Sequence, residues 1–201
     1  MKTDTLYTIG YAPFTREEFI AMLQKYRVQV LVDVRSWPHS AYRPEFNKEE
    51  LMRVLPERGL MYRHYGDEFG ARREDPQEYT DGQVDFEKVA CSSSFAKGMQ
   101  NLAKGMEMGY TFALMCAEKF PETCHRTILV ARAFYEKGYR VRHIQADGTL
   151  QSQEEVEEIL IHQLAPDYFQ GSLFDDRDKE TVRRDVYRLQ NKKIGFYEKD
   201  L

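Results

Sequence analysis

The feature that most constrains the fold is a regular alternation of short apolar runs with capped amphipathic segments. The apolar runs occupy residues 6–9, 28–34, 60–64, 110–115 and 139–144. Strands that alternate with helices predict parallel pairing, because a parallel pair needs a crossover connection. Near-continuous apolar runs indicate strands that are covered on both faces. We therefore predict a three-layer, Rossmann-like α/β fold, with a largely parallel sheet of about five strands flanked by helices.

Capping residues indicate where helices begin. Thr15 precedes an amphipathic segment and Glu18 follows three residues later, which is the pattern of a capping box. The same spacing recurs in two further pairs, Asn47 with Glu50 and Ser152 with Glu155. Further helices are predicted over most of 86–108 and over 123–136.

Length, charge and cysteine content exclude several classes of protein. The chain has 201 residues, with 29 Lys and Arg against 33 Asp and Glu, so it carries a net charge of −4. A broad, non-specific nucleic-acid binder would be basic. There is no apolar run of about 18 residues and no signal-peptide pattern, so we expect no membrane contact. Three cysteines in this context predict reduced thiols and a cytoplasmic protein.

The composition changes near Pro166, where a charged, polar stretch replaces the alternating pattern. We predict an α/β domain over 1–165 and a C-terminal appendage over 166–201, with a short helix over 182–189.

Residues with chemical potential follow the predicted strands. Open parallel sheets bind ligands at the carboxyl ends of their strands. The predicted substrate-binding residues at that edge are Gly10, Tyr11, Asp33, Arg35, Arg43, Arg72 and Arg126. Several arginines on one edge would repel one another, so their convergence favours an anionic small molecule. The alternative is that they are solvated loop residues.

The most informative motif is the loop 116–126, which follows the fourth predicted strand and leads into a helix. A helix N-terminus attracts anions and lowers the pKa of a nearby thiol. The predicted catalytic residues are Cys116 or Cys124 as nucleophile, with Glu118, His125 and His64 as groups that move protons.

Other interpretations of this loop stay open. Cys116 fits a small buried hydrophobic residue, and His125 fits a residue that only holds the loop. A zinc site from Cys116, Cys124, His125 and His64 is a further alternative. The seven residues between the cysteines do not match a usual structural-zinc spacing. We therefore predict no metal site, and the sequence identifies no cofactor.

Five ordered motifs carry a resemblance to a known family. They are TIGY at 8–11, LVDVRSWP at 31–38, FNK at 46–48, YRH at 62–64 and CAEKFPETCHR at 116–126. Together they resemble the family called domain of unknown function 488, over about residues 5–165. The resemblance implies an α/β domain and supplies no reaction.

Three classes of function remain open. The first is an enzyme, a hydrolase or transferase with a cysteine- or carboxylate-based site, acting on a phosphate-bearing or nucleotide-like substrate. The second is a non-catalytic module that binds a nucleotide or nucleic acid, with exposed aromatic side chains stacking on bases. The third is a partner protein recruited through its tail. The QGSLF sequence at 170–174 resembles peptides that dock on bacterial sliding clamps.

Overall fold

The computed structural model describes residues 4–168 and 178–198. Its strands are β1 (Thr5–Gly10), β2 (Val30–Asp33), β3 (Met61–His64), β4 (Tyr79–Thr80), β5 (Gln83–Val84), β6 (Phe112–Cys116), β7 (Arg140–Ile144) and β8 (Leu150–Ser152). Six of them form one sheet in the order β3-β2-β6-β1-β7-β8, while β4 and β5 form a separate two-stranded hairpin.

The helices are α1 (Arg16–Lys25), α2 (Lys48–Val54), α3 (Gly66–Phe69), α4 (Phe86–Ala90), α5 (Ser93–Glu107), α6 (Arg132–Glu136), α7 (Gln153–Leu164) and α8 (Lys179–Ile194). A π-helical segment, Arg126–Ala131, leads directly into α6. Short 3-10 turns lie at Pro44–Phe46, Pro56–Arg58, Pro76–Glu78, Pro121–Thr123 and Pro166–Tyr168. Within the described ranges, every helix is too short or too polar to cross a membrane.

The sheet confirms the predicted α/β class. The five predicted strands correspond to β1, β2, β3, β6 and β7, and each neighbouring pair among them is parallel. The sixth strand, β8, runs antiparallel to β7 at the edge of the sheet. The sequence analysis missed β8 because its three residues, LQS, lack an apolar pattern. The β4–β5 hairpin, inside a polar segment, was missed for the same reason.

Helices cover both faces of the sheet and create two cores. On one face, Leu31 of β2 packs with Phe19 of α1 and Leu51 of α2. On the other face, Val32 of β2 belongs to the larger core, with residues of α4 to α8. Successive residues of a buried strand therefore serve opposite layers, which explains the absence of polar alternation in the sequence.

All three predicted helix starts agree with the structure, and two of the three form the predicted capping box. Thr15 and Ser152 both form capping boxes. Asn47 stands at the N-terminus of α2, but its Oδ1 accepts a hydrogen bond from the N–H of Ser40 (2.6 Å) and caps nothing. The helix predicted over 86–108 is divided into α4 and α5.

The segment after 166 contains α8, which is longer than the short helix predicted there. Its Val182, Val186 and Tyr187 lie in the same core as the strands. The division of the chain at 166 stays a prediction. The 170–174 motif lies outside the described residues.

Candidate active site

The carboxyl ends of β1, β2, β3 and β6 meet at one edge of the sheet. In the parallel register Gly10 is opposite Cys116, and Asp33 is opposite His64. The residues after β6 pack closely on the end of β1, where the N–H of Tyr11 donates to the carbonyl of Cys116 (3.0 Å). A Cβ at Gly10 would lie 1.7 Å from the carbonyl oxygen of Glu118, so only glycine permits this approach.

Four predicted catalytic residues come together in what we call the thiol cluster, formed by Cys116, Glu118, Cys124 and His125. Sγ of Cys116 lies 3.8 Å from Nδ1 of His125, and Sγ of Cys124 lies 2.9 Å from Oε2 of Glu118. Both cysteines and His125 are buried, while Glu118 is an exposed residue whose carboxylate reaches them. The cluster therefore lies just below the surface, with Glu118 at its outer side.

The ionisation of the cluster is strongly coupled. Burial opposes the Cys124 thiolate, but the Cys116 thiol and the charge of Arg126 favour it and lower the pKa of Cys124 to about 6. Burial, followed by the neighbouring thiolate, raises the pKa of Cys116. Burial also opposes the His125 cation, yet contact with Cys124 raises the pKa of His125 overall. The cluster thus lowers the pKa of the Cys124 thiol and raises the pKa of the His125 imidazole beside it.

Glu118 and Cys124 are in direct contact, because the S–H of Cys124 donates to Oε2 of Glu118 (2.9 Å). Burial opposes ionisation of Glu118, but the charge of His125 and contacts with the thiols lower its pKa. Two anions 2.9 Å apart would repel each other strongly, so the thiol proton of Cys124 is what stabilises this contact.

Arg126 holds the loop from inside the protein. Its side chain is completely buried. Its guanidinium donates to the carbonyl of Glu118 (2.7 Å) and lies 3.4 Å from the carbonyl of Lys119 and from Oγ1 of Thr8. These contacts fix the path of the loop beside the thiol cluster. Substrate binding by Arg126 stays a prediction.

Arg35 and Asp33 form a buried ion pair at the end of β2. Two nitrogens of Arg35 donate to the two carboxylate oxygens of Asp33 (2.8 and 2.6 Å), and Tyr62 donates its hydroxyl proton to Asp33 (2.7 Å). The guanidinium lies over the ring of Tyr11. Nε2 of His64 donates to the carbonyl of Arg35 (2.8 Å), so His64 lies outside the thiol cluster.

Arg43 also has partners within the protein: its guanidinium binds Glu45 (2.7 Å) and the carbonyls of Ala12 and Phe14. With Arg35 and Arg126, three of the four predicted arginines have their charge or their donors satisfied internally. Mutual repulsion of these arginines therefore does not demand an anion.

A cavity of about 1020 Å³ lies beside the ends of β2 and β3. We call it the cleft. Its lining residues are Ser36, Trp37, Gly66, Asp67, Arg72, Arg73, Glu74, Asp75, Gln77, Glu78, Lys88, Cys91, Ser92, Ser93 and Ser94. The cleft carries both charges, and Arg73 is paired with Glu78 (2.7 Å).

Arg72 is the predicted arginine that the structure leaves available to a ligand. Its exposed guanidinium lies 4.5 Å from the ring centre of Phe196, and within residues 4–168 and 178–198 it donates no side-chain hydrogen bond. Trp37, also in the cleft, is 72% exposed. The rings of Tyr11 and Tyr62, at the same edge of the sheet, are buried and cannot stack on a base.

Sequence reasoning missed the contribution of 92–94 to the cleft. The sequence analysis predicts one helix over most of 86–108, whereas Ser92 begins a separate helix, α5, and caps it by accepting from the N–H of Phe95 (3.3 Å). A serine before an amphipathic run is an N-cap signal and could have revealed this helix start.

One backbone segment links the cleft to the thiol cluster. Nε2 of His125 donates to the carbonyl of Val34 (2.9 Å), at the end of β2. Two residues further on, Oγ of Ser36 accepts from the N–H of Arg72 (2.9 Å) in the cleft. The two features therefore lie on either side of residues 34–36.

Comparison with known families found one match, to a family model described as "Domain of unknown function DUF488", over residues 15–133. That range includes the whole thiol cluster and every lining residue of the cleft. No curated protein and no solved structure matched the chain.

Proposed function

The chain belongs to the DUF488 family of domains of unknown function, and we propose that it is an enzyme acting on a phosphate-bearing or nucleotide-like substrate. The reaction is hydrolysis or group transfer at the thiol cluster, with the substrate held in the cleft. The observation that carries this proposal is a cluster of four ionisable groups that is joined to a large cleft through residues 34–36, at the sheet edge where α/β proteins bind ligands.

The cleft supports a substrate with an anionic group and a flat ring. Arg72 and Lys88 lie at the surface of its wall, and the N-terminus of the 15-residue helix α5 lines the same cleft through residues 92–94. Arginine and a helix N-terminus together favour phosphate. The exposed indole of Trp37 provides a surface on which a base can stack. The cleft volume is comparable with that of ligand sites in general.

Glu118 is the residue best placed to move protons. It is exposed, yet its carboxylate contacts buried Cys124. A group that reaches both solvent and a buried acid–base pair can exchange protons with a bound substrate.

Trp37 offers a direct binding assay, because it is the only tryptophan of the chain. We expect nucleotides to quench its fluorescence, and inorganic phosphate to compete without stacking. Arg72→Ala should weaken nucleotide binding by about tenfold, which corresponds to the loss of one charge-assisted hydrogen bond. Arg58→Ala is the matched control, since Arg58 is exposed near the start of β3, at the opposite edge of the sheet. Equal effects of the two substitutions would contradict the assignment of the cleft.

A measurement of product formation distinguishes an enzyme from a non-catalytic binding module. Compounds that bind should be converted to product, as followed by chromatography, and Glu118→Gln should slow conversion by at least about a hundredfold while binding stays intact. Binding that leads to no conversion of any compound would instead support a non-catalytic module.

A further inference from the structure

Three side chains of the thiol cluster offer metal-ligand atoms in one place. Sγ of Cys116, Sγ of Cys124 and Nδ1 of His125 all lie within 4.8 Å of one another, and all three residues are buried. Around a tetrahedral zinc ion, a sulfur and a nitrogen ligand lie about 3.5 Å apart, given Zn–S and Zn–N bonds of about 2.3 and 2.0 Å. The observed 3.8 Å between Sγ of Cys116 and Nδ1 of His125 is close to this spacing, so only a small shift of the two side chains is needed.

The ring of His125 is held in the orientation that a metal ligand needs. Its Nε2 donates to the carbonyl of Val34 (2.9 Å), so the proton of the neutral ring is on Nε2. Nδ1 then carries a lone pair that faces the sulfur of Cys116. Metal-binding histidines commonly use the other ring nitrogen in this way, as a donor to a backbone carbonyl.

The cluster also offers the negative groups that a divalent cation needs. The S–H of Cys124 donates to the carboxylate of Glu118, and the guanidinium of Arg126 donates to a backbone carbonyl of the loop rather than to either group. A divalent ion would neutralise both thiolates once their protons have passed to solvent.

From this geometry we propose that Cys116, Cys124 and His125 bind a zinc ion. Two thiolates and an imidazole favour zinc over hard ions such as magnesium or calcium, which prefer oxygen ligands. The set contains three protein ligands, as in catalytic zinc sites that keep one position open. Glu118 lies next to these three ligands, with Oε2 2.9 Å from Sγ of Cys124.

The spacing argument against zinc concerned structural sites, in which a short sequence gap brings two cysteines together. Here the register of β6 and the start of the following helical segment bring Cys116 and Cys124 together across the gap. His64, the fourth ligand considered from the sequence, is bonded to Arg35 and is not part of the site.

Metal content of the full-length protein tests this proposal without any substrate. After removal of metal and dialysis against Zn²⁺, we expect about one tightly bound zinc per chain, measured by elemental analysis. Cys116→Ser and Cys124→Ser should each abolish tight binding. Cys91→Ser is the matched control, because Cys91 is exposed and outside the cluster, and it should keep the full amount.

A second measurement guards against variants that fail to fold. Co²⁺ added to the unmodified protein should produce the near-ultraviolet absorption of thiolate–cobalt bonds, and Zn²⁺ should displace it. No absorption together with no bound zinc would overturn the proposal. Full zinc binding by a folded Cys116→Ser variant would overturn it as well.

A catalytic role for the zinc rests on the proposed function, and the two can fail separately. Glu118→Gln should keep the zinc, since Glu118 is not among the three ligands. Zinc binding by a protein that converts no compound would contradict the proposed enzymatic function but support the zinc site. Conversion by a protein that never binds metal would contradict the zinc site but support the enzymatic function.

Discussion

At the residue scale, the arginines around the site have different roles. Arg35 is held between Asp33 and the backbone, with its side chain 7% exposed, whereas Arg72 is exposed in the cleft. Sequence alone presents both as cations after a strand. Only the positions of their hydrogen-bond and ion-pair partners distinguish an arginine that stabilises the fold from one that can bind a ligand.

The first prediction concerns the buried Asp33–Arg35 pair. Arg35→Ala should lower the free energy of unfolding by about 3–5 kcal/mol, because it leaves the fully buried Asp33 without its counter-charge. Urea denaturation would measure the loss. Arg53→Ala, which breaks an exposed pair with Glu50, should leave the stability unchanged within error. A stable Arg35→Ala variant with weakened ligand binding would instead favour a substrate-binding role.

At the element scale, the positions of the strand ends determine which side chains lie close together. The predicted strands were largely right because near-continuous apolar runs are typical of parallel strands covered on both faces. The prediction of a helix over 123–136 matched the helical region closely in extent but not in helix type, because the helix starts as a π-helical segment at Arg126. Such segments are rare and often lie at functional sites, and no local pattern in the sequence indicates one.

The second prediction concerns the contact between β1 and the loop after β6. Gly10→Ala should cost about 3 kcal/mol, at the upper end for overpacking, because its Cβ would meet the Glu118 backbone at 1.7 Å. It should also reduce zinc binding by displacing the loop. As a control, Gly138→Ala meets no atom within 4 Å but has a φ of 86°, so it should cost only about 1 kcal/mol. Similar losses for both variants would contradict the close packing of this loop.

At the scale of the whole molecule, a buried polar network joins the site region to the last helix. Thr8 lies next to Arg126 and bonds the ring of His143 (2.8 Å), and His143 bonds Gln153 (2.9 Å). Gln153 then donates to the hydroxyl of Tyr187 on α8 (2.7 Å). The network crosses the predicted boundary at 166 and accompanies the apolar packing of α8.

The third prediction follows from that packing. A chain ending at 165 should lose its cooperative unfolding transition, because burial of Val182, Val186 and Tyr187 contributes about 1.5–3 kcal/mol each to a typical total of about 5–15. Thermal unfolding followed by circular dichroism would show this. Tyr187→Phe in the full chain is the milder test and should cost about 1–3 kcal/mol through unsatisfied polar groups. A cooperative truncated chain of unchanged midpoint would confirm that 166–201 is an appendage.

The sequence by itself determined the class of fold, the order of five strands along the chain and the loop that carries the cluster. These follow from local physics: apolar periodicity, capping residues, and the rule that parallel strands end at one edge. Four of the five predicted catalytic residues do meet, because that loop brings Cys116, Glu118, Cys124 and His125 together within one short segment.

Only the tertiary structure decided what those residues contact. The packing of distant segments determines whether Arg126 contacts solvent or a backbone carbonyl. It also determines whether two cysteines separated by seven residues can bind the same ion. The cleft likewise unites residues from the loop after β2, from α3, from the segment before the β4–β5 hairpin and from the start of α5. Such contacts are set by long-range packing, in which each side chain's partners come from segments far away in sequence, and no local pattern encodes them.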